Sequence, residues 1–220
     1  MGRIARLPAG NYNLPMSKAS ILAAIRSHQV PPAELPSLQE SWITYPDPLA
    51  QFTSVIQSVG GKCLAVADLA ELNTRLAEIP AWQQAKQTVS LVPGVGTSNV
   101  DLDSIEDPHQ LESVDFAILS GHFGVAENGA IWITDHGIRH RVIYFINQHL
   151  SLVIRADQIV HNMHQAYEKL AGEECEKSGG PIGQRAFGTF ISGPSKTADI
   201  EQSLVIGAHG PRSLTVFCLK

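Results

Sequence analysis

The stretch GKCLAVADLAELNTRLAEI, residues 61–79, decides the fold. Residues 62–67 form a short apolar run of strand length, and Asp68 then provides a helix N-cap. The apolar positions that follow recur at helical spacing, at Leu69, Leu72, Leu76 and Ile79. A strand therefore runs directly into an amphipathic helix, which is the repeating unit of an α/β fold.

The same alternation extends along the chain in both directions. Helices are predicted to begin at Ser17, after Asp47 and at Asp157. Further strands are predicted at residues 89–92, 114–119, 129–134, 150–154, 188–192 and 213–219. Because these strands are apolar on both sides, the sequence predicts a three-layer α/β fold, with an open, mainly parallel sheet and helices on both faces.

Composition favours one folded domain. The chain has 220 residues, of which 44% are hydrophobic and 17% are charged, as in an ordinary globular protein. Residues 1–16 contain Gly, Pro and Asn without periodicity, so we expect an N-terminal arm there. A single α/β domain is predicted over residues 17–220, and the sequence leaves its oligomeric state open.

Charge and cysteine usage exclude several classes of partner. The net charge is −5 without a Lys/Arg cluster, which argues against nucleic acid. No apolar run approaches signal-peptide or membrane-span length, so we expect a cytoplasmic protein without a membrane partner. The three cysteines lie far apart, and His161 and His164 lie off the apolar face of their predicted helix. We therefore expect no metal site.

The richest polar segment is GTFISGPSKTADIEQSLVIGAHGPRSLTVFCL, residues 188–219. A strand is expected to run into a Gly/Pro loop and then into a short helix, whose free N–H groups would favour phosphate or carboxylate. A second loop adds an imidazole and a guanidinium, and the guanidinium could clamp a carboxylate. The candidate ligand-binding residues are Ser192, Gly193, Ser195, Thr197, Asp199, Gly210 and Arg212, with His209 as a candidate catalytic residue. The alternative is that these residues only cap and brace turns.

Glu127 is the second candidate catalytic residue. It lies in the turn GVAENG, residues 124–129, between two apolar segments. A carboxylate near the core could act as a nucleophile or general base. The alternative is a solvated side chain beside a tight Asn128-Gly129 turn. Motifs at the carboxyl ends of the strands carry the most weight, because ligands of open parallel sheets bind there.

Two blocks of the sequence resemble a known family. SGPSKTADIE, residues 192–201, followed by LVIGAHGPRSLTVFCL, residues 204–219, resembles the signature of the lactate-utilisation C (LutC/YkgG) family of LUD-domain proteins. DFAILSGHFGVAENGAIWIT, residues 115–134, resembles the central segment of that family. The usual family pattern has Thr in place of Asn128 and commonly Arg in place of Lys196.

The resemblance implies a fold similar to the NagB/RpiA/CoA-transferase superfamily and work in the oxidation of L-lactate to pyruvate. It also implies two partner proteins, a second subunit and an iron–sulfur protein that carries the clusters, so that we expect no cofactor in this chain. The resulting hypothesis is a lactate-utilisation subunit that binds a small carboxylate ligand, the iron–sulfur partner, or both.

Two other functions stay open, and with them the question of whether the chain is an enzyme. One is an acyl-CoA, folate or sugar-phosphate enzyme of the same superfamily that uses Glu127. The other is a non-catalytic assembly or sensing module. Fold analogy alone does not transfer chemistry, so the sequence does not choose among them.

Overall fold

The structure is a computed structural model that describes residues 17–28, 33–34, 36–37, 40–172, 187–198 and 204–220. Two compact units are found, residues 1–40 and residues 41–220. The described part of the first unit contains helix α1, Lys18–Ser27, which begins after its N-cap Ser17 as predicted. The predicted N-terminal arm, residues 1–16, lies outside the described residues.

The second unit contains the remaining helices and all described strands. The helices are α2 (Pro48–Ser58), α3 (Leu69–Ala77), α4 (Pro80–Gln84) and α5 (Met163–Ala171). The strands are β1 (Lys62–Val66), β2 (Thr88–Ser90), β3 (Phe116–Ser120), β4 (Phe123–Val125), β5 (Ala130–Thr134), β6 (His149–Arg155), β7 (Ile159–Val160), β8 (Gly188–Ile191), β9 (Lys196–Thr197), β10 (Val205–Ile206) and β11 (Ser213–Leu219). Within the described residues, no helix is both long enough and apolar enough to cross a membrane.

The central sheet has five strands in the order β1-β11-β6-β3-β2, and every neighbouring pair is parallel. Side chains alternate between its two faces, as the pleat requires. In β11, Val216 belongs to the core on one face and Phe217 to the core on the other. The Phe217 face packs against α3 and α4, through residues that include Leu76 and Trp82. The predicted α/β fold with a mainly parallel sheet is thus confirmed.

The opposite face of the central sheet is covered by α2 and by a second sheet, in the order β7-β4-β5-β8. Ile131 of β5 and Ile56 of α2 both belong to the core on this side. The far face of the second sheet packs against α5, which buries Ala166 and Leu170 there. The sequence did not predict that these strands form a sheet of their own. Its strands β4 and β5 are buried on both faces, as the strands of the parallel sheet are, so the two sheets have the same apolar pattern.

The predicted helix start at Asp157 is wrong. Residues 156–158 form a 3₁₀ turn, and β7 then pairs with β4 in parallel. The helix begins only at Met163, where the Asn162 side chain accepts a hydrogen bond from the Gln165 N–H. His161 therefore precedes the helix, and its Nδ1 accepts a hydrogen bond of 3.0 Å from the Tyr45 N–H.

Candidate functional site

The two C-terminal loops pair with each other through a short hairpin. Strands β9 and β10 are antiparallel, with Thr197 opposite Val205. The Ser195 N–H donates to the Pro211 carbonyl at 2.9 Å, and the Gly207 N–H donates to the Ser195 carbonyl at 2.9 Å. The short helix that we predicted after the Gly/Pro loop does not begin within residues 192–198, because this backbone is extended and its amides pair across the hairpin.

The hairpin lies at the amino ends of the central strands. The second loop leads directly into β11, and the Arg212 N–H donates to the carbonyl of Gln148, just before β6. This location differs from the expectation that the important motifs would lie at the carboxyl ends. The first loop reaches this edge from the end of β8, and the hydrogen bond between Ser195 and Pro211 joins it to the second loop.

A pocket of about 310 Å³ opens between the two loops. Its polar lining comes from both loops, and its apolar lining comes from the starts of β6 and β11, from β8 and from the segment before β6. The lining residues are Tyr144, Phe145, Leu150, Phe190, Ile191, Ser192, Gly193, Pro194, Ser195, Lys196, His209, Gly210, Pro211 and Leu214.

Most of the predicted loop residues meet in this pocket. Those that line it are Ser192, Gly193, Ser195, His209 and Gly210. Thr197 is not among the lining residues and pairs with Val205 in the hairpin. Arg212 is also absent from the lining and packs against Gly207, where an added Cβ would come within 2.4 Å of its Cγ. Asp199 lies outside the described residues.

Lys196 lines the pocket although we did not single it out as a ligand-binding residue. Its side chain is exposed, and its ammonium nitrogen would lie 3.9 Å from a Cβ added to Gly60, at the C-terminal end of α2. The partial negative charge of a helix C-terminus favours a cation at this place. The signal that could have identified Lys196 was its position within SGPSK, between two residues that were chosen.

Glu127 is bound to the start of α5 rather than to the pocket. Its Oε2 accepts a hydrogen bond of 2.9 Å from the Met163 N–H, and its own N–H donates to the His161 carbonyl at 3.0 Å. The neighbouring residue connects this turn to the pocket, because Ser192 Oγ donates to the Asn128 carbonyl at 2.8 Å. The structure therefore brings the two predicted motifs into contact but separates the Glu127 carboxylate from the pocket lining.

The nearby amino edge of the sheet holds a half-buried histidine. His149 Nδ1 lies 2.8 Å from Ser213 Oγ, and its ring stacks on Phe116. Burial, and secondarily the positive charge of Arg212, lowers the pKa of His149, while Asp115 opposes this effect. Arg212 thus acts electrostatically on His149.

Two cysteines lie side by side in the central sheet, on β1 and β11. Cys63 and Cys218 are buried, with their sulfur atoms 3.5 Å apart on neighbouring strands. A hydrogen bond between the two thiols, which outweighs burial, lowers the pKa of Cys63, and the same bond raises the pKa of Cys218. In the part of the chain that the structure describes, no group of three or more His, Cys, Asp or Glu side chains could hold a metal ion.

A second cavity of about 420 Å³ lies beside the edge strand β2. It is lined by Leu91, by residues 98–103 and by residues 137–139, and it brings Asp101 and Asp103 near Arg139. It contains none of the residues that the sequence predicted for ligand binding. The pocket between the C-terminal loops is therefore the candidate site.

Comparisons with known proteins agree with this fold. A crystal structure of a DUF162 family protein from Deinococcus radiodurans has a TM-score of 0.57 and 21% sequence identity, and it covers 79% of this chain and 96% of its own. Lactate utilization protein C of Bacillus pumilus is 32% identical over 115 residues, which are 51% of this chain and 45% of the relative. YkgG of Escherichia coli is 27% identical over 63% of this chain and 56% of its own length.

The chain spans about half the length of the curated relatives it matches. The family model of the LUD domain matches residues 61–219, from the glycine before β1 to the end of β11. That match includes both loops of the pocket and the Glu127 turn. The chain belongs to the LUD domain family.

Proposed function

We propose that this chain is a subunit of a lactate-utilisation system and that it binds a small 2-hydroxy or 2-oxo acid between its two C-terminal loops. The relatives named lactate utilization protein C support the role. The observation that carries the proposal is the pocket itself, which is lined from different loops by two exposed residues, Lys196 and His209.

The pocket has the groups that a 2-hydroxy or 2-oxo acid needs. The Lys196 ammonium supplies a positive charge for the carboxylate, and such charge-assisted hydrogen bonds are the strong ones in proteins. Ser195 adds a hydroxyl to the same lining, and Ser192 Oγ, which donates its hydrogen to the Asn128 carbonyl, can still accept a hydrogen bond from a ligand hydroxyl. In this proposal His209, which lines the same pocket, exchanges a proton with the hydroxyl or oxo group of the ligand. Arg212 is not required in this arrangement.

Oxidation of a 2-hydroxy acid releases two electrons and two protons, so the system needs a redox partner. We assign that role to an iron–sulfur partner protein, acting with a second subunit. The exposed apolar residues of the β9–β10 hairpin offer a contact surface beside the pocket, at Leu204, Val205 and Ile206. In this proposal the partner carries the iron–sulfur clusters, and this chain binds the carboxylate of the ligand.

Calorimetric titration of the full chain with L-lactate and with pyruvate tests the proposal. Replacement of Lys196 by Met removes the charge and keeps most of the apolar stem. We expect the affinity to fall about twofold to fivefold, since ion pairs of exposed side chains contribute at most about 1 kcal/mol. Lys86→Met is the matched control, because Lys86 is exposed at a distance from the pocket lining.

Equal affinities in wild type and Lys196→Met would remove Lys196 from the site. Absence of binding by both acids to a folded wild-type chain would contradict the carboxylate site itself. A melting curve of each variant separates these results from unfolding, and added salt should weaken the binding of an exposed ion pair.

A further inference from the structure

The candidate pocket is larger than a three-carbon acid requires. Lactate has six heavy atoms and takes at most about 180 Å³, even when each atom is given the roughly 30 Å³ that a water molecule occupies in the liquid. The pocket has a volume of about 310 Å³. Lactate alone would leave much of it to water or empty.

The buried residues of the pocket lining are mostly apolar. Leu150 and Leu214 line the pocket and are almost fully buried, so they form its inner end. Tyr144 lines the pocket too, and its hydroxyl lies 3.3 Å from the carbonyl oxygens of Ser120 and Thr134. Because that hydroxyl is engaged by the protein backbone, Tyr144 offers a ligand mainly the apolar surface of its ring.

The polar groups are concentrated at the other end. Lys196, His209 and Ser192 are exposed, and they lie at the mouth of the pocket. Phe145 is 37% exposed and adds an aromatic ring to the lining. An amphipathic ligand would fit this gradient, with its carboxylate outward and an apolar group inward.

We infer that the pocket prefers a 2-hydroxy or 2-oxo acid whose side chain is bulkier than a methyl group, with about ten to twelve heavy atoms in all. The inference rests on the proposed function, because it takes the carboxylate end of the ligand from it. Aromatic or branched aliphatic side chains fit best, since ring surfaces and branched aliphatic groups form the inner wall.

The test is a series of ligands of increasing size, titrated into the full chain by calorimetry. The probes are L-lactate, 2-hydroxyisocaproate and 3-phenyllactate. We expect 3-phenyllactate to bind at least tenfold more tightly than L-lactate, because burial of apolar surface adds to the shared carboxylate contacts. 2-Hydroxyisocaproate should lie between them.

Phe145→Ala should weaken the binding of 3-phenyllactate more than that of L-lactate, and should therefore lower the ratio of the two affinities severalfold. Leu69→Ala is the control, because Leu69 is 38% exposed, about the same as Phe145, and belongs to α3 on the other side of the central sheet. Phe145→Leu keeps an apolar side chain and should retain part of the preference, which covers the case in which Phe145→Ala unfolds.

The outcomes separate the inference from the function on which it rests. Equal affinities for L-lactate and 3-phenyllactate would overturn the size preference and leave the carboxylate site standing. Failure of all three probes to bind would contradict the proposed function and the inference together. A preference that survives Phe145→Leu and Phe145→Ala unchanged would overturn the assignment to this pocket.

Discussion

Two glycine-containing turns touch each other in this structure and have different surroundings. The turn at residues 126–129 and the loop at residues 192–195 meet where Ser192 Oγ donates to the Asn128 carbonyl. In the first turn, polar groups are bound to neighbouring backbone, whereas the second lines an open pocket. Similar local sequences therefore differ in role according to the backbone that surrounds them.

The first turn is fixed from several sides. The Ala126 and Glu127 N–H groups donate to β7 and to the residue after it, and the Glu127 carboxylate accepts from the Met163 N–H. These bonds hold β4, β7 and the start of α5 together. The loop at residues 192–195 instead pairs through the Ser195 backbone with the other C-terminal loop, and the two loops line the pocket together.

The largest expected effect on stability comes from Gly193, in the loop at residues 192–195. Its φ is +75°, and an added Cβ would lie 2.9 Å from both Cγ2 and the carbonyl oxygen of Val59. Gly193→Ala therefore combines backbone strain with a steric clash, and we expect a loss of about 2–3 kcal/mol in the free energy of unfolding. Urea denaturation measures this loss, and ligand titration should show weaker binding.

Gly137→Ala is the matched control for Gly193→Ala. Gly137 has a similar φ of +72°, but an added Cβ would meet no atom within 4 Å. Gly137→Ala should therefore lower the free energy of unfolding only through backbone strain, by about 1 kcal/mol. If the two variants lost the same stability, the close approach of the loop to α2 would contribute nothing, and the contrast in packing between the two regions would be wrong.

A smaller effect is expected at Glu127, in the first turn. Glu127→Ala removes the acceptor for the first N–H of α5, and we expect a loss of about 1 kcal/mol in stability without a change in ligand affinity. Glu168→Ala, at an exposed position within the same helix, should change neither. A variant with unchanged stability and lost activity toward an acyl-CoA ester would instead support the superfamily enzyme that uses Glu127.

Local signals predicted the fold well wherever a segment carries its own signal. The apolar run at residues 213–219 is the observed β11, and Asp47 caps α2 as its sequence indicates. The start of α5 was predicted wrongly. Asp157 resembles a helix N-cap in the sequence, but Ile159 and Val160, which follow it, pair with β4 as a strand. That pairing joins residues distant in sequence, so no local pattern reports it.

The candidate site was predicted in part for the same reason. Gly/Pro composition identified both loops, and their nearness along the chain suggested that they meet. Which side chains face the pocket depends on the pairing of β9 with β10 and on the entry into β11, neither of which has a sequence signature of its own. Lys196 was therefore missed as a ligand-binding residue, while Arg212 was chosen although it lies beside Gly207 and outside the lining.

The smallest expected effect is that of Arg212 on the pH dependence of stability. The folded pKa of His149 lies below its ordinary value, first through burial and then through Arg212. The unfolded chain therefore binds a proton more readily, so stability falls as the pH is lowered through the ordinary histidine range near 6.5. Arg212→Gln removes part of the depression, and its melting temperature should fall less than that of wild type between pH 7.5 and pH 5.5. Loss of lactate binding in a stable Arg212→Gln variant would instead show that the guanidinium reaches the ligand.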